Sequence, residues 1–468
     1  MIRTHASGGD FGRLRAQFGL PDSFGPDVLA EAEAAVLDPL VSAGGREDAT
    51  GLPFVTIDPP GSKDLDQAML IERTAGGFRV HYAIADLAAF VPPGGALDRE
   101  ARRRGQTLYL PDGNVPLHPP VLSEDAASLL PGEVRPAVLW TIDVGEDGEL
   151  AATRVRRALV RSTEQLDYDG VQAALDAGRP HPSVAALPEL GRLRRELAVR
   201  RGAVELQLPE QEITGDADGG WVLARRPRTA VDAWNAEISL LTGMAAARIM
   251  IEAGVGVLRT LPPPDPEAVQ RLRRAAVAAG LDWPSALGVS EFLSTLDPGQ
   301  PASMALFADT TRLLRGAGYT AFDGELPEVL THGGIGGPYA HATAPIRRLV
   351  DRFAAEVCLA VTAGREVPSW VREALAEVPA QMSASDGLAA RVERACLDQV
   401  EAWVLAERVG QEFTAVVLRA EETKAEILLE DPPVMARCSG TRFPEGERIT
   451  VRLTEVDVDH RKVSFERV

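Results

Sequence analysis

The sequence is short of lysine, of cysteine and of long apolar runs, and each shortage narrows the field. Among 49 basic residues only Lys63, Lys424 and Lys462 are lysines. The remaining cations are arginines, which grip phosphate in bidentate fashion and stack on bases as lysine does not; a GC-rich coding bias gives the same excess. The three cysteines, Cys358, Cys396 and Cys438, are odd in number and far apart. That argues against a disulfide framework, offers no zinc spacing, and predicts reduced thiols in a cytoplasmic protein. No apolar run is long enough to span a bilayer, so no membrane partner is expected. The first ten residues lack the apolar core of a signal peptide. Positive charge is also in deficit, the net being −19. Taken alone, this argues against a nucleic-acid partner. A metal site offsets several acids, however, and a channel can be locally basic on an acidic body. With 468 residues and 45% apolar content, the chain has material for two or three domains with real cores.

What is present is organised around Phe54-Val-Thr-Ile-Asp58-Pro-Pro-Gly-Ser-Lys63-Asp64-Leu-Asp66-Gln67. A β-branched run delivers Asp58 at the end of a strand. Pro59, Pro60 and Gly61 force a turn that returns Asp64 and Asp66 toward the same point. Alternation places those two acids on one side of an extended segment and Leu65 on the other. Three converging carboxylates repel one another unless a cation lies between them, and oxygen ligands favour Mg²⁺. The plainer reading is a solvated acidic loop. A calcium loop is disfavoured, because the spacing and closing Glu of an EF-hand are missing.

Along the chain, residues 1–50 read as a small helical segment. Pro26 suits a first helical position, and Val28, Leu29, Ala32, Ala35 and Val36 recur at helical spacing. Strands dominate from 51 to about 160. Residues 68–72 and 78–85 form a hairpin signature around Gly76-Gly77, and Ala96 to Arg104 reads as a short helix. Asp86 either joins the acids or caps the next turn of chain. Residues 161–410 are mostly helical. Tyr168 opens one helix; Val231, Trp234, Ile238, Leu241, Ala245 and Ile249 mark another, with Glu237 beside its apolar stripe. After 411, about five short strands within 60 residues predict a small OB-type barrel. The expected division is 1–50, 51–409 and 410–468.

A second chemical stretch is His332-Gly-Gly-Ile-Gly-Gly-Pro-Tyr339-Ala-His341-Ala-Thr343-Ala-Pro345-Ile-Arg347-Arg348. Pro345 is expected at the first position of a helix, with Arg347 and Arg348 in its first turn. Cations there oppose the helix dipole. Free N–H groups with two guanidiniums would make a phosphate clamp; alternatively each arginine pairs with an acid such as Asp351.

These motifs, in this order, resemble the ribonuclease II / ribonuclease R family of exoribonucleases, built on the RNB catalytic domain. Asp58, Asp64 and Asp66 match its acidic metal signature. Tyr82-Ala-Ile-Ala-Asp86, Leu97-Asp-Arg-Glu-Ala101 and Arg104-Gly-Gln-Thr-Leu-Tyr-Leu-Pro-Asp112 match it at similar spacing, as does Tyr339 through Arg348. The resemblance covers roughly residues 20–410, and the terminal barrel resembles the family's OB-fold RNA-binding domain. It implies an α+β protein: an RNB domain of mixed β-sheet flanked by helices, followed by an OB-fold barrel. It further implies a 3′→5′ exoribonuclease that releases 5′-mononucleotides processively from the 3′ ends of single-stranded RNA, as a monomer. The implied cofactor is Mg²⁺, one ion or two, with Mn²⁺ able to substitute, held by Asp58, Asp64, Asp66 and Gln67. Arg347 is the implied stabiliser of charge at phosphorus, Asp58, Asp64 and Asp66 being the other catalytic residues. Tyr168, Glu237, Tyr339, Thr343 and Arg348 are the implied RNA contacts, with Tyr168 stacking on a base near the 3′ end.

The chain departs from the family in three places. Gln67 stands where the family has a fourth aspartate, so it supplies oxygen without charge. Ala340, Ala342 and Ala344 replace the family's Thr, Phe and Ser. Finally, about 50 leading residues leave no room for cold-shock domains, so a more open mouth for RNA is expected. Two other readings stay open: an RNA-binding protein with weakened catalysis, and a phosphoesterase acting on DNA or short nucleotides.

Overall fold

The β-branched run at Val55 forms the strand Phe54–Ile57, buried along its whole length. The structure, a computed structural model, describes residues 3–6, 9–37, 45–205, 210–215, 220–226 and 228–468. Phe54–Ile57 pairs antiparallel with Gln67–Thr74 (Val55 opposite Met69) and parallel with Leu150–Leu166 (Val55 opposite Glu164). Gln67–Thr74 and Gly77–Ala85 form the expected hairpin, and Val134–Gly145 pairs next to it, with Tyr82 opposite Trp140. The 17-residue strand Leu150–Leu166 also pairs with Val134–Gly145, so the last strand of the sheet returns to the one beside Phe54–Ile57.

Two cores share this sheet. Val55, Ile57, Tyr82 and Trp140 pack with Ile238, Leu241, Phe353 and Val357 from the helices Ala230–Ala253 and Leu349–Thr362. Phe54, Leu65 and Ala83 pack instead with Val28 and Leu97, from the helices Pro26–Leu37 and Ala96–Arg104. Alternate residues of one strand thus serve opposite cores, as a period of two requires.

The C-terminal strands Glu412–Ala420, Lys424–Leu429, Met435–Ser439, Lys462–Arg467 and Arg448–Asp457 close, in that spatial order, into an OB-like barrel. Its core includes Val417, Ile427, Val451 and Phe465. The long helix Val378–Leu405 joins this cluster, as does Leu14 of the short helix Gly12–Phe18. Phe11 lies edge-on to Trp221 and Trp403, at 5.1 and 5.4 Å. Arg13 Nη1 meets Asp459 Oδ1 at 2.6 Å, and Arg461 Nη2 donates to Gln17 Oε1 at 2.8 Å. The leading segment is not wholly helical: Arg3–Ala6 is a strand paired with Trp221–Arg226. Among the described residues no helix is long and apolar enough to cross a membrane.

Candidate active site

Asp58 comes directly after its strand, its N–H donating to Leu166 O at 3.1 Å. The next turn closes through Ser62 N–H to Pro59 O, 3.1 Å, with Gly61 at φ 85°, a value glycine adopts without strain. Ser128 fixes the return limb. Its Oγ accepts from Leu65 N–H at 2.9 Å and donates to Lys63 O at 2.6 Å. Leu65 is fully buried, Asp66 is 4% exposed, and Asp64 is half-buried.

The second motif arrives from a distant part of the chain. Ala340 N–H donates to Gly243 O at 3.1 Å, laying the segment against the helix Ala230–Ala253. A side chain at Gly243 would stand 2.2 Å from Tyr339 Cε2, so glycine permits this approach. Ile346 N–H then donates to Asp66 Oδ1 at 2.7 Å, joining the two motifs. Arg347 Nε lies 3.4 Å from Asp66 Oδ2, its side chain 45% exposed.

The helix starts later than Pro345 suggests. Residues 345–347 form a turn, Arg348 is extended (φ −135°, ψ 128°), and the helix runs from Leu349 to Thr362. Thr107 N–H donates to Arg347 O at 2.9 Å and Leu349 N–H to Gly105 O at 3.0 Å, so pairing with residues 105–107 holds this backbone extended. The first-turn charge is therefore Asp351, which suits the dipole. Arg348 takes the acid-pairing alternative. Its Nε and Nη2 donate to the two oxygens of buried Asp351 at 2.9 and 2.8 Å.

Burial raises Asp58 to about 6; Arg347 opposes that rise and Asp64 adds to it. Burial raises Asp66 further, to about 8, against the pull of Arg347 and of the Ile346 N–H. Asp58 Oδ2 and Asp66 Oδ2 are both buried without a hydrogen-bond partner. Two such oxygens, hard donors short of positive charge, fit a divalent cation. Among the described residues no three acidic, His or Cys side chains stand close enough together to hold one. Asp64 is turned to Tyr109, whose OH donates to its Oδ2 at 2.8 Å. Gln67 is engaged at both ends: Nε2 donates to Thr343 O and Oε1 accepts from Tyr82 OH, each at 2.7 Å. It ties three segments together rather than presenting a free ligand oxygen.

A cavity of about 700 Å³ opens beside these groups, lined by Arg347, Gln67, Tyr168, Asn235 and Glu237. Tyr168 is the first residue of its helix, and its OH accepts from Asn235 Nδ2 at 3.3 Å. Glu237 is buried and raised above the usual carboxylate range by desolvation, with Arg194 Nε 3.8 Å from its Oε2. Tyr339 and Thr343 do not line the cavity. Tyr339 is buried in an edge-to-face contact with His341, and Thr343 Oγ1 bonds Ser239 Oγ at 2.8 Å. Asp86 caps Ala88 N–H and pairs with Arg46 and Arg157 instead of joining the acids. Sequence reasoning missed Tyr109 and Asn235. Both are ordinary residues of a strand and a helix until the fold aims them.

Comparison with known proteins locates this arrangement. The RNB domain family matches residues 46–361, and the RNase II-type exonuclease C-terminal S1 domain matches residues 411–468. The chain is thus an RNB-type body carrying an S1-type barrel. Ribonuclease R of Escherichia coli (strain K12) is 26% identical over 480 residues, covering 92% of this chain and 58% of the relative. The chain therefore spans little more than half the length of the curated relatives it matches. Mycoplasma genitalium RNase R, solved with ribose-methylated single-stranded RNA, has a TM-score of 0.87 at 20% identity, over 97% of this chain and 77% of that one. Yeast Ssd1, described as a pseudonuclease, has a TM-score of 0.68 at 16% identity, over 88% and 53% of the two chains. The chain belongs to the ribonuclease II / ribonuclease R exoribonuclease family.

Proposed function

We propose that this chain shortens single-stranded RNA from the 3′ end, processively releasing 5′-mononucleotides, with Mg²⁺ or Mn²⁺ held by Asp58 and Asp66 and by Asp64 once it turns away from Tyr109. The observation that carries this reading is the half-exposed Arg347, which lines the cavity, lies 3.4 Å from buried Asp66 and is near enough to buried Asp58 to pull on its charge. A bound divalent ion supplies an activated water and offsets charge on the leaving oxygen. The chain's own residues do the rest. Arg347 faces the phosphate and stabilises the charge that grows on its oxygens. Ile346 N–H and Arg347 hold Asp66 in one orientation. Tyr168 stacks on a base in the cavity, which suits an unpaired strand. Glu237 lies in the same cavity, toward the terminal nucleotide. Arg348, Tyr339 and Thr343 support the site from behind, through Asp351, His341 and Gln67. In this reading residues 51–409 are the catalytic part and 410–468 an RNA-binding barrel, the whole working as a cytoplasmic monomer.

The test uses full-length protein, Mg²⁺, and single-stranded RNA labelled at either end. Progressive 3′ shortening with release of labelled mononucleotide, abolished by chelator and by Asp66→Asn, is expected. No shortening by the wild type, or full activity in Asp66→Asn, sinks the reading. One observation favours an RNA-binding protein with weakened catalysis: the neutral Gln67 oxygen accepts from Tyr82 OH and its amide donates to Thr343 O, where an added carboxylate ligand would be needed. That protein would bind the labelled RNA without metal-dependent shortening. Equal turnover of DNA would instead indicate a less selective phosphoesterase.

A further inference from the structure

A second arginine cluster, sharing no lining residue with the cavity beside Arg347, surrounds a cavity of about 630 Å³. Arg46, Arg154, Arg156, Arg157 and Arg365 line it, with Val155 and Leu359 among its apolar wall. Among the described residues the nearby acids do not balance them. Asp86 Oδ2 takes both Arg46 Nη2 at 2.8 Å and Arg157 Nε at 3.0 Å. Glu47 Oε2 likewise takes both Arg156 Nε at 2.5 Å and Arg154 Nη2 at 3.4 Å. Glu356 answers Arg157. Each of the two shared carboxylate oxygens serves two guanidiniums, so positive charge is in excess on a chain whose net charge is −19. The Arg46 side chain is only 5% exposed, yet its Nη1 has no hydrogen-bond partner. A buried guanidinium N–H without an acceptor is costly, and an anion entering the cavity would supply one.

The chemistry of the wall narrows the ligand. Guanidiniums pair bidentately with phosphate oxygens. The volume falls in the range of small-molecule sites. Among the described residues the lining contains no aromatic ring and no Asn or Gln to read a base. We propose that this cavity binds a small polyphosphate anion, recognised by charge and oxygen geometry alone.

Calorimetric titration of the full chain with inorganic pyrophosphate, in chelator to remove free metal, tests this. Saturable one-to-one binding is expected, with Arg154→Gln and Arg365→Gln each weakening it about tenfold, the worth of one charge-assisted bond. Both side chains are exposed, so neither change threatens the fold. Arg347→Gln, in the other cavity, should leave the affinity unchanged. Three outcomes overturn the proposal: no saturable binding up to about 10 mM (a Kd near the mM range is already weak), binding indifferent to Arg154 and Arg365, or binding only of an RNA oligonucleotide and not of pyrophosphate.

Discussion

Replacing Glu401 by Gln should change how stability depends on pH, because this carboxyl lies at the seam between the barrel and the body. It sits in the helix Val378–Leu405 and is 1% exposed. Its Oε1 accepts from Gln211 Nε2 at 2.8 Å and from Met435 N–H, on a barrel strand, at 3.0 Å. Its nearest cation is Arg394 Nη2, 3.9 Å from Oε2. Burial raises the group from 4.5 to about 7, against the pull of Gln211, Arg394 and the Met435 N–H. A carboxyl raised on folding keeps its proton in the native state after the unfolded chain has lost it. Its stabilising share is complete below pH 4.5 and disappears as pH climbs to about 7. That gap corresponds to about 3 kcal/mol. Glutamine keeps the accepting carbonyl and cannot ionise, so Glu401→Gln should escape this loss. Urea unfolding at pH 5 and pH 8, monitored by tryptophan fluorescence, should show wild type losing about 2.5 kcal/mol more than the variant between the two conditions, since part of the loss has already occurred at pH 5. Parallel behaviour of the two proteins would refute the reasoning.

Gly243→Ala would put a methyl 2.2 Å from Tyr339 Cε2 and 2.5 Å from Ala340 O. It should cost about 1–3 kcal/mol by thermal melting and, by displacing the segment that carries Arg347, about 100-fold in RNA turnover; an unchanged enzyme contradicts this. Arg347→Lys should keep the charge but lose the fork, lowering kcat about 10²–10³-fold with KM little moved. Steady-state kinetics with RNA decides it, and a change confined to KM would argue that Arg347 only binds. Metal binding must displace protons from Asp66, raised to about 8, and below about pH 6 from Asp58 as well. The apparent Mg²⁺ affinity should therefore rise about tenfold per pH unit up to about pH 8 and then level off. Calorimetry across pH 6–9 checks the slope, and a flat profile would remove these carboxyls from the binding site.

Much of the fold was legible in the sequence, where local chemistry dictates local shape. The β-branched run ending at Asp58, the turn at Gly61, the 68–85 hairpin and the helix Ala96–Arg104 come from patterning and turn residues. So does the terminal barrel, announced by short strands between turns. The rest was set by partners far away in the chain. Pro345 looked like a helix start because nothing nearby reveals that residues 105–107 will pair with Arg347–Leu349. Gln67 looked like a weak ligand because its partner Thr343 lies 276 positions on. Tyr109 carries no local mark of its bond to Asp64. The strands Val255–Thr260 and Gly318–Asp323, inside the stretch read as helical, pair with each other across an intervening run of helices.

The contact between Arg13 and Asp459 has a bearing on how the protein is made. These residues are 446 positions apart, and the ring of Phe11 rests on Trp403. At roughly 5–20 residues per second, a ribosome needs about 20–90 s to travel that distance. Until the stretch around Trp403 and the barrel follow, Phe11 and Leu14 lack part of their final packing. A chaperone that shelters this segment would shield them over the same interval, and withdrawing it should send newly synthesised chains into aggregates while leaving already folded ones untouched.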